Sequence, residues 1–349
     1  MSRFALPFLA AAVLAGCTID QRGTGPARLV NVPPGASFAQ VADSLASRGL
    51  IRHPLPFRVY AQLVGDDRSV KAGTYRFRTG TGWNPMLEDL RLGRVVTERL
   101  VIPEGWDLQR IVPRIAAITR VPADSIMRLM TDSTSAGGLG LPGPTLEGYL
   151  YPATYTFPVG VTLDSVITRL VETYRRVWTP ERRARADSIG MSERDVVTLA
   201  SIIEKEARVQ SEMPLISSVY HNRLERGIPL QADPTVQYAL GVHRERLLYA
   251  AIDSVADNPY NTYRHAGLPP GPIASPSQLA IDAALNPAET DYYYFVAAPD
   301  GSHIFTRSLD DHNRARLQVR RAQAADSVAP RPQSADTGAA IPRPPPPRR

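Results

Sequence analysis

The segment from Leu199 to Ala207 constrains the fold of this chain most, because it places two carboxylates inside a strongly apolar run. No proline or glycine occurs from Val196 to Val209, which favours a helix. Ser192 is a good N-cap residue, and the acids that follow it would lie near the positive end of the helix dipole. We therefore predict a helix over residues 192–209, and its two carboxylates need an explanation.

The two acids of this helix are not equivalent. At 100° per residue, Glu206 shares a face with Ile202 and Ile203, whereas Glu204 lies about 160° away. Burial beside branched aliphatic groups raises the pKa of a carboxylic acid, as a general acid near neutral pH requires. We predict Glu206 as the catalytic acid. The alternative is a pair of surface acids on a core helix, and a bend or a cleft on the other face would favour Glu204 instead.

The amino-terminal residues indicate export. Residues 1–16 have one early cation and an apolar run from Phe4 to Leu14, which is too short to cross a bilayer but has the length of a signal-peptide core. The following Leu-Ala-Gly-Cys resembles the lipobox of bacterial lipoproteins, and Cys17 is the only cysteine in the chain. We predict lipidation at Cys17, a tether over residues 17–28, and a catalytic part outside the cytoplasm. The sequence does not determine whether the inner or the outer membrane holds the anchor.

Composition excludes several classes of function. The formal charge of +6 is spread along the chain without a basic stripe interleaved with aromatic residues, so no nucleic-acid partner is expected. The six histidines show no metal-ligand spacing and there is no cysteine cluster, so we predict no metal and no cofactor. Residues 326–349 are rich in alanine and proline, which predicts a disordered tail.

The order of elements predicts an α+β fold in two parts. A small module of strands and helices is expected over residues 29–98, and a mixed catalytic domain over residues 99–325. Two Pro-Gly or Pro-Glu-Gly turns, after Val32 and Ile102, each join a predicted strand to a predicted helix. The other predicted segments are a strand over 71–78, helices near 86–92, 106–118, 162–177 and 211–226, and aromatic strands over 291–296 and 302–306.

Three polar clusters surround the acid helix in sequence. The segment 146–155 combines Glu147 and Tyr151 with further tyrosines; aromatic faces and hydrogen-bonding groups suit a glycan cleft, although an aromatic core strand is the alternative. Further on, Gln231, Asp233 and Thr235 alternate, so an extended segment would point all three the same way.

The third cluster, 258–272, consists of proline-rich loops that carry amides and phenols, with Asn261 and Tyr263 as candidate ligands. We predict that these seven side chains position sugar hydroxyl and N-acetyl groups: Glu147, Tyr151, Gln231, Asp233, Thr235, Asn261 and Tyr263.

Taken in order, these motifs resemble the YceG-like (MltG) endolytic murein transglycosylases over roughly residues 29–320. The motifs are Glu147-Gly-Tyr-Leu-Tyr-Pro, Ala200-Ser-Ile-Ile-Glu-Lys-Glu, Asn222-Arg-Leu, Leu230-Gln-Ala-Asp-Pro-Thr-Val, Tyr260-Asn-Thr-Tyr and Gly267-Leu-Pro-Pro-Gly-Pro-Ile. The resemblance implies a LysM-like module, then a catalytic domain that cuts peptidoglycan strands internally. It also implies that the essential acid is Glu206, and that the partners include synthases of the elongation machinery. Members of this family usually begin with a transmembrane helix, whereas this chain resembles a lipoprotein.

In this mechanism one acid suffices. Glu206 would protonate the glycosidic oxygen between N-acetylmuramic acid and N-acetylglucosamine, then accept the proton of the muramyl 6-hydroxyl as that oxygen attacks C1, giving a 1,6-anhydro end. A lysozyme-like hydrolase would instead need a second carboxylate, for which Glu147 and Asp233 are the candidates. A non-catalytic peptidoglycan-binding scaffold that recruits synthases is the third possibility.

Overall fold

The structure, a computed structural model, describes residues 21–242 and 247–328, with side chains through residue 323. The predicted signal peptide 1–16, the predicted lipidation site Cys17 and residues 329–349 of the predicted tail lie outside the described residues. Among the helices described, none is both long and apolar enough to cross a bilayer. The fold is α+β with small antiparallel sheets, as predicted.

The amino-terminal part has its own hydrophobic core. Two antiparallel strands pair with Val30 opposite Tyr75, and helices that lie between and after the strands in sequence cover the pair. The first helix begins at Ser37 with a reciprocal capping box to Gln40. The elements are β1 (Ala27–Val32), α1 (Phe38–Ser47), α2 (Pro54–Val64), β2 (Gly73–Arg78) and α3 (Trp83–Leu92).

The larger part repeats the arrangement of strand, turn and helix. A second antiparallel pair places Leu100 opposite Tyr155, and most of the helices pack into a separate core. The elements up to the acid helix are β3 (Thr97–Ile102), α4 (Leu108–Thr119), α5 (Ala123–Thr131), α6 (Ser133–Gly138), β4 (Ala153–Pro158), α7 (Leu163–Val177), α8 (Pro180–Ser188) and α9 (Glu193–Glu206). Those that follow are a 3₁₀ turn (Gln210–Glu212), α10 (Met213–Glu225), α11 (Asp233–Leu240), α12 (Tyr249–Ser254), α13 (Gln278–Leu285), β5 (Tyr294–Ala297), β6 (His303–Thr306) and α14 (Leu309–Val328).

Two expectations differ from the structure. The segment that contains Gln231, Asp233 and Thr235 is not extended, because Pro234 sits in the first turn of α11 and its fixed φ suits a helix start. The three side chains therefore do not share a direction: Thr235 is fully buried, whereas Asp233 is exposed. In addition, α14 runs to Val328, three residues into the predicted tail.

Helix α9 is the centre of the larger core. It begins at Ser192 with a capping box to Asp195, and it packs against α13, α10 and α11. Every residue from Val196 to Ile203 is buried, including Val197 and Ala200, which lie on the side of the helix that Glu204 occupies. Both faces are therefore apolar. The prediction that Glu206 lies on the more apolar face does not by itself identify which of the two acids is catalytic.

Candidate active site

Glu206 is the last residue of α9 and lies at the floor of an open cleft. The hydroxyl of Tyr220, on α10, donates a 3.0 Å hydrogen bond to its Oε1. The pKa of Glu206 is raised to about 7: burial raises it most, the negative charge of Asp233 also raises it, and the Tyr220 hydrogen bond lowers it. The negative end of the helix dipole acts in the same direction as burial. At neutral pH this carboxyl can therefore either release or accept a proton.

The cleft consists of two recesses that meet at Glu206. The smaller recess has a volume of about 410 Å³ and the larger one about 610 Å³. Glu206 and Asp233 line both of them, so the two recesses extend from the same carboxyl pair. A polymer could therefore lie across Glu206 with units bound on both sides.

Polar residues of the Ala-Ser-Ile-Ile-Glu-Lys-Glu motif tie α9 to the surrounding loops. Ser201 Oγ accepts the backbone N–H of Ile273 at 3.0 Å. Glu204 accepts the backbone N–H of Ser277 at 3.0 Å, and the Lys205 ammonium donates to a backbone carbonyl at 3.2 Å. Glu204 lines neither recess, so the structure favours Glu206 over Glu204 as the reactive acid.

The Asn222-Arg223 pair on α10 likewise binds backbone groups, in this case at the carboxy-terminal hairpin. The Asn222 amide donates at 2.9 Å to the backbone carbonyls of Thr290 and Tyr292. The buried Arg223 guanidinium donates to the backbone carbonyls of Tyr293 and of the loop before α11. These contacts place the hairpin β5–β6 against α10 and hence along the cleft.

Asn261 and Thr235 are buried beneath the cleft. Asn261 Nδ2 donates to the backbone carbonyls of Ile252 and Val255, in and just after α12, and its Oδ1 accepts the backbone N–H of Tyr263. The hydroxyl of Thr235 lies 2.8 Å from that of Thr262, which also accepts the backbone N–H of Ala232. Their side-chain groups are used within the protein, which differs from the prediction that they contact sugar.

Glu147 is also buried and lines neither recess. Its Oε2 accepts the backbone N–H of Leu108 at 3.1 Å and the hydroxyl of Tyr238 at 3.4 Å. Burial raises the pKa of Glu147 to about 8, so the group is largely neutral at pH 7. Tyr151 is half-buried against the larger core and lies outside both recesses, whereas Tyr238 lines the smaller one.

Four of the eight predicted active-site residues line the cleft: Glu206, Gln231, Asp233 and Tyr263. The Tyr263 hydroxyl donates to Asp233 at 2.5 Å, which orients that carboxylate. Gln231 adopts a left-handed backbone conformation with φ of 51° and leaves its side chain exposed. Sequence reasoning missed these cleft residues: Arg110, Tyr220, Tyr238, Tyr249, His303, Arg316 and Arg320. Only the nearby Asn222-Arg-Leu motif pointed towards Tyr220.

A carboxyl with a pKa near neutrality, placed where two recesses of a cleft meet, is typical of an acid–base enzyme. Comparison with known proteins assigns the chain within that class. Residues 30–318 match the YceG-like family, and the chain therefore belongs to this family.

Named relatives are similar over most of the chain. The endolytic murein transglycosylase of Bacillus subtilis (strain 168) is 33% identical over 304 residues, which cover 82% of this chain and 83% of the relative. That of Streptococcus pneumoniae serotype 2 (strain D39) is 30% identical over 315 residues, with 82% of this chain and 57% of the relative covered. The crystal structure of a YceG-like protein from Listeria monocytogenes, 33% identical, aligns with a TM-score of 0.56 over 84% of this chain and all of the other.

Proposed function

We propose that this protein is an endolytic peptidoglycan lytic transglycosylase. It cuts the β-1,4 bond between N-acetylmuramic acid and N-acetylglucosamine within glycan strands and leaves 1,6-anhydro-muramic acid ends. The observation that carries the proposal is the position of Glu206, a carboxyl with a pKa of about 7 where the two recesses meet. The names of the relatives from Bacillus and Streptococcus support the same activity.

The chemistry follows from the two states of one carboxyl. Protonated Glu206 donates its proton to the glycosidic oxygen, and the bond from that oxygen to C1 of the muramyl residue breaks. The carboxylate then accepts the proton of the muramyl 6-hydroxyl as O6 forms its bond to C1. The leaving sugar gains a 4-hydroxyl, the muramyl sugar closes its anhydro ring, and Glu206 ends protonated as it began.

The neighbours of Glu206 set its orientation and its pKa. Tyr220 occupies Oε1, so among the described residues nothing competes with substrate for Oε2. Asp233 keeps the pKa of Glu206 high, and Tyr263 holds Asp233 in place. We assign sugar contacts to Gln231, Asp233 and Tyr263, which line the cleft. The predicted residues that do not line the cleft support its walls instead: the buried Glu147, Thr235 and Asn261, and the half-buried Tyr151.

The parts outside the catalytic core belong to the same proposal. The module over residues 29–98 acts as a LysM-like peptidoglycan-binding unit; its separate hydrophobic core supports a distinct role. Lipid at Cys17 anchors the chain with its catalytic domain, residues 99–325, outside the cytoplasm; the lipobox-like sequence supports this. In that location the enzyme would end or trim newly made strands beside the synthases of the elongation machinery.

The experiment is mass spectrometry of the fragments released from purified peptidoglycan. The wild-type protein is compared with Glu206→Gln, and Glu204→Gln is the matched control on the same helix. We expect internal fragments with 1,6-anhydro ends from the wild type and from Glu204→Gln, and a loss of at least 100-fold for Glu206→Gln, as expected when a general acid is removed.

Other results would contradict the proposal in distinct ways. Reducing ends in place of anhydro ends would mean a hydrolase, with Asp233 as the candidate second carboxylate. Binding of peptidoglycan without any cleavage would mean a scaffold. Loss of activity in Glu204→Gln but not in Glu206→Gln would reassign the acid.

A further inference from the structure

Helix α14 presents a row of basic side chains to the larger recess. His312, Arg316 and Arg320 recur every four residues, and all three line that recess. At 1.5 Å per residue the row is roughly 12 Å long. Ala315 and Val319, on the neighbouring face of the helix, are buried and pack the helix against the rest of the domain. The row therefore belongs to the wall of the cleft.

The two arginines of the row differ from the other arginines near them. Arg223, which lines the same recess, donates to backbone carbonyls. Arg314, on α14 but outside the recess, pairs with Asp311. Within the described part of the chain, neither a carboxylate nor a carbonyl binds the guanidinium of Arg316 or Arg320. Both cations line a concave site and have no ion-pair or hydrogen-bond partner among residues 21–242 and 247–323, and the local potential there attracts anions.

The acids of the larger recess do not neutralise this row. Glu206 and Asp233 are its acidic lining residues among those described, and both lie at the junction with the smaller recess. Asp233 already accepts the Tyr263 hydroxyl. A strand cut at Glu206 would thus extend from the carboxyl pair along a wall that carries the guanidinium groups of Arg316 and Arg320.

We propose that Arg316 and Arg320 bind carboxylates of the peptide stems on the muramic acid residues, and that the enzyme therefore cuts strands with anionic stems faster. The inference rests on the proposed function and adds the recognition of the stem to it. Guanidinium groups suit carboxylates because their donors match both oxygens. Stem carboxylates recur along the strand, so an internal cut always brings one near the row. A diphosphate at the end of a lipid-linked strand has similar chemistry but occurs once.

The test compares three substrates with one pair of matched variants. The substrates are uncrosslinked strands with intact stems, the same strands with their stem carboxylates converted to primary amides, and lipid-diphosphate-linked strands with amidated stems. The full chain carrying Arg316→Gln and Arg320→Gln is compared with the wild type. The control is Arg314→Gln with Arg321→Gln, which removes two charges from the same helix outside the recess.

We expect the variant of the row to lose about tenfold in kcat/KM on intact strands, the size typical of two partly exposed charge-assisted contacts. On amidated strands it should equal the wild type, which itself cuts them about tenfold more slowly than intact strands. The control variant should match the wild type on all three substrates.

Three results would overturn the inference. An equal loss on intact and amidated strands would place the arginines in general folding or sugar binding, and a loss confined to lipid-linked strands would identify the diphosphate as the ligand. A wild type that cuts all three substrates alike would refute stem recognition while leaving the transglycosylase activity in place. The absence of anhydro products from every substrate would instead refute the proposed function.

Discussion

Replacement of Glu206 by glutamine should stabilise the protein at pH 8 and leave its stability nearly unchanged near pH 4. Burial raises the pKa of this carboxyl from 4.5 to about 7. At 1.36 kcal/mol per pH unit, that displacement corresponds to roughly 3 kcal/mol of stability, which the folded state loses when the group ionises. Glutamine has nearly the same shape and can accept the Tyr220 hydrogen bond, so it removes the charge without removing the contact.

The direction of this pH dependence follows from how many protons the folded and the unfolded chain bind. Below pH 4.5 the carboxyl is protonated in both the folded and the unfolded chain, so it contributes no pH dependence. From pH 4.5 to 7 the unfolded chain releases the proton while the folded chain keeps it, and the free energy of unfolding of the wild type falls. Above pH 7 the carboxyl is ionised in both states, so its contribution to the free energy of unfolding no longer changes with pH. The advantage of Glu206→Gln should therefore grow from near zero to about 3 kcal/mol.

The assay is urea unfolding at pH 4 and pH 8. In a Trp83→Phe background the remaining tryptophans, Trp106 and Trp178, both belong to the larger core and report its unfolding. Asp132→Asn is a matched control with the opposite sign, because hydrogen bonds from Thr134 lower the pKa of Asp132. This control is measured at pH 5 as well, and its effect should be the same at pH 5 and pH 8. An advantage of Glu206→Gln of the same size at both pH values would refute the linkage argument.

Three further predictions concern the surroundings of the acid. In pH–rate profiles, the basic limb of kcat/KM should have its midpoint near pH 7. This midpoint should move to lower pH in Asp233→Asn and to higher pH in Tyr220→Phe, and shifts of both variants in the same direction would contradict the assigned causes. Glu147→Gln should keep activity within about twofold, because the native carboxyl is largely neutral, whereas Glu147→Ala should lower the free energy of unfolding by about 2–4 kcal/mol in urea titrations; equal effects would contradict this. Gly148→Ala should cost about 2–4 kcal/mol by the same assay, because φ is +82° and a Cβ would lie 2.3 Å from a proline carbon; an unchanged midpoint would contradict the geometry.

Local sequence signals predicted the elements that depend on them. The N-cap residue Ser192, the acids that follow it and the run without proline or glycine located α9, whose end at Glu206 lies three residues before the predicted one. The strand-turn-helix segments after β1 and β3 were also found in their predicted positions. By contrast, eight helices were not predicted, because their patterns are short, interrupted or mostly polar and local propensity alone does not specify them: α2, α5, α6, α8, α11, α12, α13 and α14.

The candidate site was predicted in part, for a reason visible in individual residues. The motifs of the sequence converge around α9, but many of their polar groups support the cleft. Ser201 and Asn222 bind backbone groups of other segments, and Asn261 binds a backbone carbonyl of α12. A residue type that suits sugar binding also suits backbone bonding, so a polar side chain in a motif does not reveal which role it has.

The sequence by itself determined that one helix carries two acids in apolar surroundings, that the fold is α+β and that the motifs are those of the YceG-like family. Only the tertiary structure shows how the surroundings of the two acids differ, because both sides of α9 are buried and the helical wheel that favoured Glu206 does not separate them. Glu204 meets the backbone N–H of Ser277, whereas Glu206 meets Tyr220 and the open cleft. The pKa and the reactivity of a carboxyl depend on the dipoles, charges and space around it, and distant segments supply these only after folding.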